Sequence, residues 1–429
     1  MFYSTNNKAY KQSFKEAVLQ SLAPDNGLYM PEQIAALSPD FIRNLSAYSF
    51  EEISFEVGKN LIGHDVPSAD LRTMTEKAIN FSAPVCMLSD RIAVLELWHG
   101  PSLAFKDFGA RYMAQLMSWM IRGEDKALTI LVATSGDTGG AVAAGFLNTP
   151  GIEVIILYPS GKVSPLQEKQ LTALGGNITA LEVSGTFDDC QALVKTAFLD
   201  DDLNRKYHLS SANSINISRL IPQTFYYFEA YKQVSRTGKE IVFSVPSGNF
   251  GNLTAGLMAK KMGLPIKRFI AATNINKIVP EYLDSGIFQP RPSVPTISNA
   301  MDVGNPSNFV RILDLYHHDY SAIRQDISGY YLNDEQTRAA MKELYELYGY
   351  VGDPHGAIAY KSLDLLKENE LGIFLETAHP SKFPDTVEDC LHISIEIPER
   401  LKTLMHRPKQ SIKMDTAYTT FREWLMDKK

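Results

Sequence analysis

The amino-acid sequence predicts an α/β protein in which parallel β-sheets are covered by helices on both faces. The first observation is a set of short, nearly continuous apolar runs, at residues 128–133, 154–158, 241–245 and 372–376. The second is that loops of small residues follow two of these runs and open helical stretches. Strands that alternate with helices in this way form parallel sheets that are buried on both faces. Ligands of such folds bind beyond the carboxyl ends of the strands, where these loops lie.

The composition and charge exclude several classes of protein. The chain is 45% hydrophobic and 21% charged, which is typical of globular proteins. Its formal net charge of −7 argues against a nucleic-acid surface, which needs a basic face. The first residues carry no apolar signal segment, and no run of about 18 apolar residues is present to span a bilayer. Cys86, Cys190 and Cys390 lie far apart, which favours a reducing compartment. We therefore expect a cytoplasmic protein that binds neither nucleic acid nor membranes.

The loop at residues 247–252, Ser-Gly-Asn-Phe-Gly-Asn, is a candidate phosphate site. Its glycines allow successive backbone N–H groups to point toward one place, and the following helix adds the positive end of its dipole. A tight turn in which the glycines serve packing alone has the same pattern. The loop matches neither G-x-x-x-x-G-K-[ST] nor G-x-G-x-x-G, which disfavours a nucleotide-binding kinase or dehydrogenase.

A second loop of this kind, residues 135–140, follows the run at residues 128–133. Its hydroxyl and N–H groups can hold a carboxylate or a ring oxygen. Ser, Asp and Thr are also the residues that cap helices, so a plain helix start is the alternative. Two such loops in one chain indicate two anionic groups that are held in one cleft.

Lys106 is the candidate nucleophile. It follows a turn signal and lies between Phe105 and Phe108, which favours partial desolvation of its amine. Burial disfavours an ammonium ion and favours the free amine that a Schiff base requires. The alternative is a lysine at a helix start whose amine reaches water.

Further segments offer polar contacts. Residues 211–219 combine hydroxyls, amides and the guanidinium of Arg219, which can bind a phosphate through two hydrogen bonds, although the same residue types favour turns and caps. Lys162 is a second candidate cation, with a solvated loop lysine as the alternative. Thr377 follows the run at residues 372–376, where it can hydrogen-bond a ring nitrogen or simply end a strand. The nine histidines show no metal-ligand spacing, so no metal site is expected.

Taken together, these segments resemble the threonine synthase family, of the bacterial and fungal kind, within the fold type II (tryptophan-synthase-β-like) class of pyridoxal 5′-phosphate (PLP) enzymes. The similar segments follow one order along nearly the whole chain, at residues 13–18, 22–31, 99–109, 133–139, 164–169, 213–219, 246–256, 299–303 and 377–383. Each motif alone is weak, but so many motifs in one order are specific to a family.

The resemblance implies a role for each candidate residue. Lys106 would carry PLP as a Schiff base and act in catalysis, and Thr377 would face the pyridine nitrogen. The residues that would bind the cofactor phosphate are Gly248, Asn249, Phe250, Gly251 and Asn252. The implied substrate contacts are Ser102, Ser135, Gly136, Asp137, Thr138, Lys162, Asn213, Ser214, Asn216 and Arg219. An ionised Asp137 would repel the phenolate oxygen of PLP, so a direct contact between them requires a shared proton.

The resemblance also implies an arrangement of domains. We expect a mainly helical N-terminal portion at residues 1–90, a large PLP-binding domain made of residues 91–109 and 206–429, and a small α/β domain at residues 110–205. The cofactor would lie between the two α/β domains, in a cleft that closes on the substrate. The sequence leaves open whether the chain is a monomer or a homodimer.

The reaction that the resemblance implies converts O-phospho-L-homoserine and water to L-threonine and phosphate, by β,γ-elimination and replacement. PLP would supply the electron sink, and the amine of Lys106 would take the Cα proton. Two alternatives stay open. A phospho-lyase on the same scaffold would release a 2-keto acid, and a non-catalytic homologue would only bind a phosphorylated metabolite.

Overall fold

The computed structural model describes residues 1–134 and 136–428, and its N-terminal portion combines helices with a small antiparallel sheet. The strands, in the order β2-β1-β3, are β1 (Phe2–Ser4), β2 (Lys11–Gln12) and β3 (Tyr29–Pro31). The helices are α1 (Phe14–Gln20), α2 (Pro39–Arg43), α3 (Phe50–Ile62) and α4 (Ser68–Ala78). Ser13 and Ser49 begin α1 and α3 through capping boxes with Glu16 and Glu52. The sequence does not predict the sheet, because its strands are too short to show alternation.

Strands and helices alternate from residue 85 onward. Up to residue 210 they are β4 (Val85–Met87), β5 (Ile92–Glu96), α5 (Lys106–Met120), β6 (Leu128–Ala133), α6 (Asp137–Phe146), β7 (Ile152–Pro159), α7 (Pro165–Thr172), β8 (Ile178–Val183), α8 (Phe187–Phe198), α9 (Asp201–Lys206) and β9 (His208–Ser210). Several of these helices begin at side-chain caps, such as Ser164 before α7 and Thr186 before α8.

The elements after residue 210 are α10 (Ile217–Leu220), α11 (Phe225–Val234), β10 (Glu240–Pro246), α12 (Gly251–Lys261), β11 (Ile266–Thr273), α13 (Ile278–Ser285), α14 (Phe309–Leu315), α15 (Tyr320–Asp326), β12 (Ile327–Tyr331), α16 (Asp334–Tyr348), α17 (Pro354–Lys361), β13 (Glu370–Glu376), α18 (Pro384–Leu391), α19 (Glu399–Met405), β14 (Ile412–Met414) and α20 (Tyr418–Asp427). A short 3₁₀ helix, Pro380–Lys382, follows β13. Among the helices of the described residues, none is both long enough and apolar enough to cross a membrane.

Two sheets form the centre of the α/β region. The large sheet has the strand order β12-β11-β10-β13-β5-β4, and its neighbours are parallel except for β4 and β5 at one edge. The small sheet has the order β14-β8-β7-β6-β9, and all of its pairs are parallel. The runs that the sequence marks as strands lie in these sheets, and their side chains are almost all buried. The predicted α/β class with parallel sheets is confirmed.

Two strands that the sequence assigns to the large domain, β9 and β14, lie in the small sheet. Both β9 and β14 pair in the small sheet, although the predicted division assigns residues 206–429 to the large domain. Phe421 and Leu425 of α20 are buried in the same apolar cluster as residues of β7 and β8. The physical reason is that β14 covers the open edge of β8, while α20 covers an apolar face of the sheet. The rest of the three-part division stays a prediction.

Aromatic packing fixes the helix that begins with Lys106. The ring of Phe108 on α5 lies 4.6 Å from that of Phe81, 5.2 Å from Tyr226 and 5.9 Å from Phe50. Tilted and edge-on ring pairs at these distances are favourable beyond the area that they bury. The start of α5 is therefore held between the N-terminal portion and α11.

Replacement of Phe421 by alanine is expected to lower the free energy of unfolding by about 3–5 kcal/mol, because the ring is fully buried against the small sheet. The exposed Glu423 on the same helix provides a matched control, and Glu423→Ala should change stability by less than about 0.5 kcal/mol. Urea unfolding followed by circular dichroism measures both variants. Equal unfolding midpoints would contradict the placement of α20 on the small sheet.

Candidate active site

Three candidate segments leave neighbouring strands of the large sheet at their carboxyl ends. Strands β5, β13 and β10 are adjacent, in this order. Lys106 follows β5, Thr377 follows β13, and residues 247–252 follow β10. Neighbouring strands lie about 4.8 Å apart, so the ends of β5 and β10 are about 10 Å apart. The sheet thus places the lysine, the threonine and the glycine loop at one edge.

Two backbone hydrogen bonds fix the loop before Lys106 against the loop after β13. The N–H of Phe105 donates to the carbonyl oxygen of Thr377 at 2.8 Å, and the N–H of His379 donates to that of Leu103 at 3.0 Å. Leu103 is fully buried with φ at 59°, a left-handed conformation that a branched side chain adopts only when its surroundings enforce it. Lys106 and Thr377 are therefore held side by side.

The amine of Lys106 lies in a buried cluster with a carboxylate and a second lysine. Its Nζ is 4.0 Å from Oδ2 of Asp137, and 18% of its side chain is exposed. The Nζ of Lys382 is 2.7 Å from Oδ1 of Asp137, and the Lys382 side chain has no exposed surface. Burial lowers the pKa of Lys106, while Asp137 opposes this shift. Burial would raise the pKa of Asp137, but the ammonium group of Lys382 and hydrogen bonds from Lys382 and Gln167 hold it well below its usual value.

The other predicted substrate contacts near Lys106 lie around Asp137. The hydroxyl of Ser102 is buried with no partner among the described residues, and the carbonyl oxygen of Ser102 accepts a hydrogen bond from Lys382 at 3.0 Å. Gly136 has φ at 146°, and Thr138 is the partly exposed second residue of α6. Ser135 lies outside the described residues.

The loop at residues 247–252 forms a tight turn into α12. Phe250, the residue before the helix, is left-handed with φ at 62°. A Cβ atom on Gly248 would lie 2.7 Å from the carbonyl oxygen of Ala300 and 2.9 Å from the Cα atom of Met301. Because both neighbours are backbone atoms, only glycine fits at this position. The first N–H groups of α12 face the mouth of the turn, as in helix ends that bind anions.

Two buried amide groups beside this turn lack acceptors. The hydroxyls of Tyr226 and Tyr227 donate to Oδ1 of Asn252 at 2.6 and 2.7 Å, and this fixes the orientation of the amide. The Nδ2 atoms of Asn252 and Asn308 are buried and have no partner in the described part of the chain. The Nδ2 of Asn308 lies 3.4 Å from the position that a Cβ of Gly251 would take. Since buried donors without acceptors are costly, these groups fit an anion at the start of α12.

The segment at residues 213–219 lies beside the glycine loop. Nδ2 of Asn249 donates to Oγ of Ser214 at 2.7 Å, which joins the two segments. Arg219 is buried, and one of its terminal nitrogens donates to the carbonyl oxygen of Ala212 at 2.5 Å. Its Nε has no partner among the described residues and faces Gly109 of α5. Burial lowers the pKa of Arg219 to about 10.

Two predicted contacts are not brought to the site. The side chain of Asn216 is fully buried, donates to the carbonyl oxygen of Val18 at 2.8 Å and accepts from the N–H and hydroxyl of Ser218. It therefore caps α10, which is the alternative that the sequence left open. Lys162 is exposed after β7, and its side chain forms no ion pair or hydrogen bond within the described residues. Asn213 is partly exposed next to Ser214.

The sequence interpretation misses three side chains around Asp137 and Ser102. Lys382 lies next to Phe383 and shortly after a buried strand, a pattern similar to that of Lys106. Gln167 donates to Oδ1 of Asp137 at 3.2 Å, and Gln170 donates to the carbonyl oxygen of Ser102 at 3.0 Å. The spacing of these glutamines, three residues apart on α7, is the signal that they share one helix face.

Three family models together match most of the chain. The model described as "Pyridoxal-phosphate dependent enzyme" matches residues 86–373. The models described as "Threonine synthase N terminus" and "Threonine synthase, C-terminal" match residues 1–79 and 356–424.

Known relatives and solved structures resemble the chain over nearly its full length. The chain is 46% identical over 426 residues to threonine synthase of Serratia marcescens, which covers 99% of this chain and 98% of that one. The crystal structure of threonine synthase from Escherichia coli is 44% identical with a TM-score of 0.92 and covers 99% of both chains. PLP-bound threonine synthase from Brucella melitensis is 34% identical with a TM-score of 0.95 and covers 99% of this chain and 98% of that one. The predicted resemblance, fold class and PLP cofactor are confirmed.

Replacement of Gly248 by alanine is expected to lower the affinity of the apoenzyme for PLP at least about tenfold, because the added Cβ pushes the turn away from the backbone at residues 300–301. Gly123→Ala is the control: Gly123 also has a positive φ, but nothing lies near its Cβ position. Fluorescence titration with PLP measures both variants. Equal affinities for the two variants would speak against a phosphate site in this turn.

Proposed function

This chain belongs to the threonine synthase family of PLP-dependent enzymes, and we propose that it converts O-phospho-L-homoserine and water to L-threonine and phosphate. The observation that carries the proposal is the meeting of Lys106, Thr377 and residues 247–252 at the ends of three neighbouring strands. A nucleophilic amine, a neutral hydroxyl and an anion site are the three groups that recognise the aldehyde, the ring nitrogen and the phosphate of PLP.

The described residues fit the cofactor. The turn before α12, with the unpaired amides of Asn252 and Asn308, offers donors to a phosphate. The hydroxyl of Thr377 makes no side-chain hydrogen bond within the described residues, so it is free to bond a ring nitrogen. The buried amine of Lys106 is suited to covalent attachment of an aldehyde. When bound, PLP supplies an electron sink for the negative charge that develops on the substrate carbon atoms.

Lys106 is proposed to act as the base that accepts the Cα proton of the substrate. Its Nζ, when uncharged, accepts the proton from Cα of the substrate. Burial of the amine serves this step, because an ammonium ion cannot accept a proton and burial lowers the pKa of Lys106. The hydrogen bonds between residues 103–105 and 377–379 keep the amine in place beside Thr377.

Two groups of residues are proposed to hold the substrate. Arg219, Ser214 and Asn213 lie beside the glycine loop and offer a guanidinium, a hydroxyl and an amide to the leaving phosphate. Ser102, Gly136 and Thr138 are proposed to contact the substrate carboxylate, and Asp137 lies beside them with its charge neutralised by Lys382. Asn216 and Lys162 are left out of this proposal, since one caps a helix and the other faces solvent.

We also propose a cytoplasmic location for the enzyme. Cys86, Cys190 and Cys390 are free thiols in the described residues. Unpaired and widely spaced cysteines are typical of a reducing compartment.

Incubation of the purified holoenzyme with O-phospho-L-homoserine is expected to release phosphate and L-threonine in equal amounts. Chromatography of the amino acid together with a phosphate assay measures both products. The Lys106→Ala variant is the control and should release neither product, and its visible absorbance band of bound PLP should be lost. Release of a 2-keto acid without threonine would reject the reaction that we propose.

Loss of the guanidinium at Arg219 is expected to raise the KM for O-phospho-L-homoserine by about tenfold to a hundredfold, because a charged hydrogen bond to the substrate phosphate contributes about 1.5–3 kcal/mol. Lys162→Gln removes one exposed cation and is the matched control for Arg219→Gln; its KM should stay within about twofold of the wild-type value. Steady-state phosphate release measures both. If KM increases for Lys162→Gln and not for Arg219→Gln, the substrate phosphate binds at Lys162 and not at Arg219.

A further inference from the structure

Two lysines face one carboxylate in the buried part of the site. The Nζ of Lys382 lies 2.7 Å from Asp137, whereas that of Lys106 lies 4.0 Å away. Lys382 also donates to the carbonyl oxygen of Ser102 at 3.0 Å, while the amine of Lys106 makes no hydrogen bond within the described residues. One carboxylate neutralises one ammonium ion. A second ammonium ion at this depth would be a buried charge without its own counterion, which is strongly unfavourable.

We propose that Lys382 is a positioning residue that takes the carboxylate of Asp137 as its ion-pair partner and thereby leaves the amine of Lys106 uncharged. This inference rests on the proposed function, because it assigns to Lys382 the task of preparing Lys106 for PLP and for proton transfer. Lys382 acts through Asp137 and Lys106 and need not contact the substrate.

The ion pair of Asp137 and Lys382 also removes the expected repulsion between Asp137 and the phenolate oxygen of PLP. An ionised Asp137 alone would repel the phenolate oxygen of PLP. With Lys382 at 2.7 Å, the pair of Asp137 and Lys382 has no net charge. Gln167 adds a hydrogen bond to the same carboxylate oxygen at 3.2 Å, which fixes its orientation. No proton has to be shared between Asp137 and the cofactor.

Other charged groups around Lys106 come from several elements. Arg219 on α10 disfavours a charge on Lys106, and Asp353, at the start of α17, favours one. Asp107 follows Lys106 on α5; burial raises its pKa to about 6, and its Oδ2 accepts a hydrogen bond from the N–H of Ser102. Arg219 and Asp353 stay in place in a variant at residue 382. Lys382 also lowers the pKa of Asp107, so the Asp137→Asn variant, which keeps Lys382, separates the effect through Asp137 from an effect through Asp107.

The test is the pH dependence of covalent attachment of PLP to the apoenzyme. The full-length protein is stripped of PLP, and the first-order rate of appearance of the absorbance band is measured at saturating PLP between about pH 6 and pH 10. Only the uncharged amine reacts with the aldehyde, so the midpoint of this profile reports the charge of Lys106. Three variants are compared with the wild type: Lys382→Met, Lys382→Arg and Asp137→Asn.

The expected shifts have opposite signs. In Lys382→Met the midpoint rises by about one to three pH units, because Asp137 then stabilises the ammonium form of Lys106. The rate near neutral pH falls about tenfold for each unit of this shift. Lys382→Arg keeps the cation and the wild-type midpoint. In Asp137→Asn the midpoint falls, because Lys106 loses the attractive charge while the cation at residue 382 remains.

Several outcomes would overturn the inference. One is an unchanged midpoint in Lys382→Met, even with a lower rate at every pH, which is the result of a merely structural role. Another is an equal upward shift in Lys382→Met and Lys382→Arg. If Lys382→Met does not fold, an unchanged or higher midpoint in Asp137→Asn overturns the inference by itself. If the wild-type protein forms no absorbance band with PLP, the proposed function is overturned together with the inference. If the wild type forms the band and only the midpoints of the variants disagree, the inference about Lys382 alone is overturned.

Discussion

A lysine amine stays uncharged near neutral pH only if it is removed from water and faces no unneutralised carboxylate. Burial at the start of α5 meets the first condition for Lys106. The pairing of Asp137 with Lys382 that we propose meets the second. The loop of residues 103–105 and the packing of Phe108 serve these conditions, because they hold the amine at one point of a buried cluster. Thr377 and the loop at residues 247–252 lie at the same edge of the large sheet as this amine.

The two sheets contribute different charges to this cluster. Asp137 begins α6, which follows a strand of the small sheet, whereas Lys106 and Lys382 follow strands of the large sheet. The glycine loop and its unpaired amides also belong to the large sheet. The cluster is therefore complete only when both sheets are in place, and movement of the small sheet would change the distance between Asp137 and each lysine.

The strands and loops that carry the site were predictable from the sequence because continuous apolar runs that end in glycine-rich loops are local features. Lys382 and Asn308 were not, since the partner of a buried polar side chain is chosen by packing between distant segments. Asn216 was assigned to the substrate because an asparagine that caps a helix has the same local sequence as one that binds a ligand. The strand β14 was missed because three mostly exposed residues carry no strand pattern.

Identification of the lysine that carries PLP tests the proposal for Lys106 most directly, because two lysines, one fully and one largely buried, lie around Asp137. Borohydride reduction of the holoenzyme makes the carbon–nitrogen bond permanent, and mass spectrometry of the peptides then locates it. The added mass is expected on the peptide that contains Lys106, with Lys382 unmodified. The added mass on Lys382, or on an exposed lysine, would contradict the proposal.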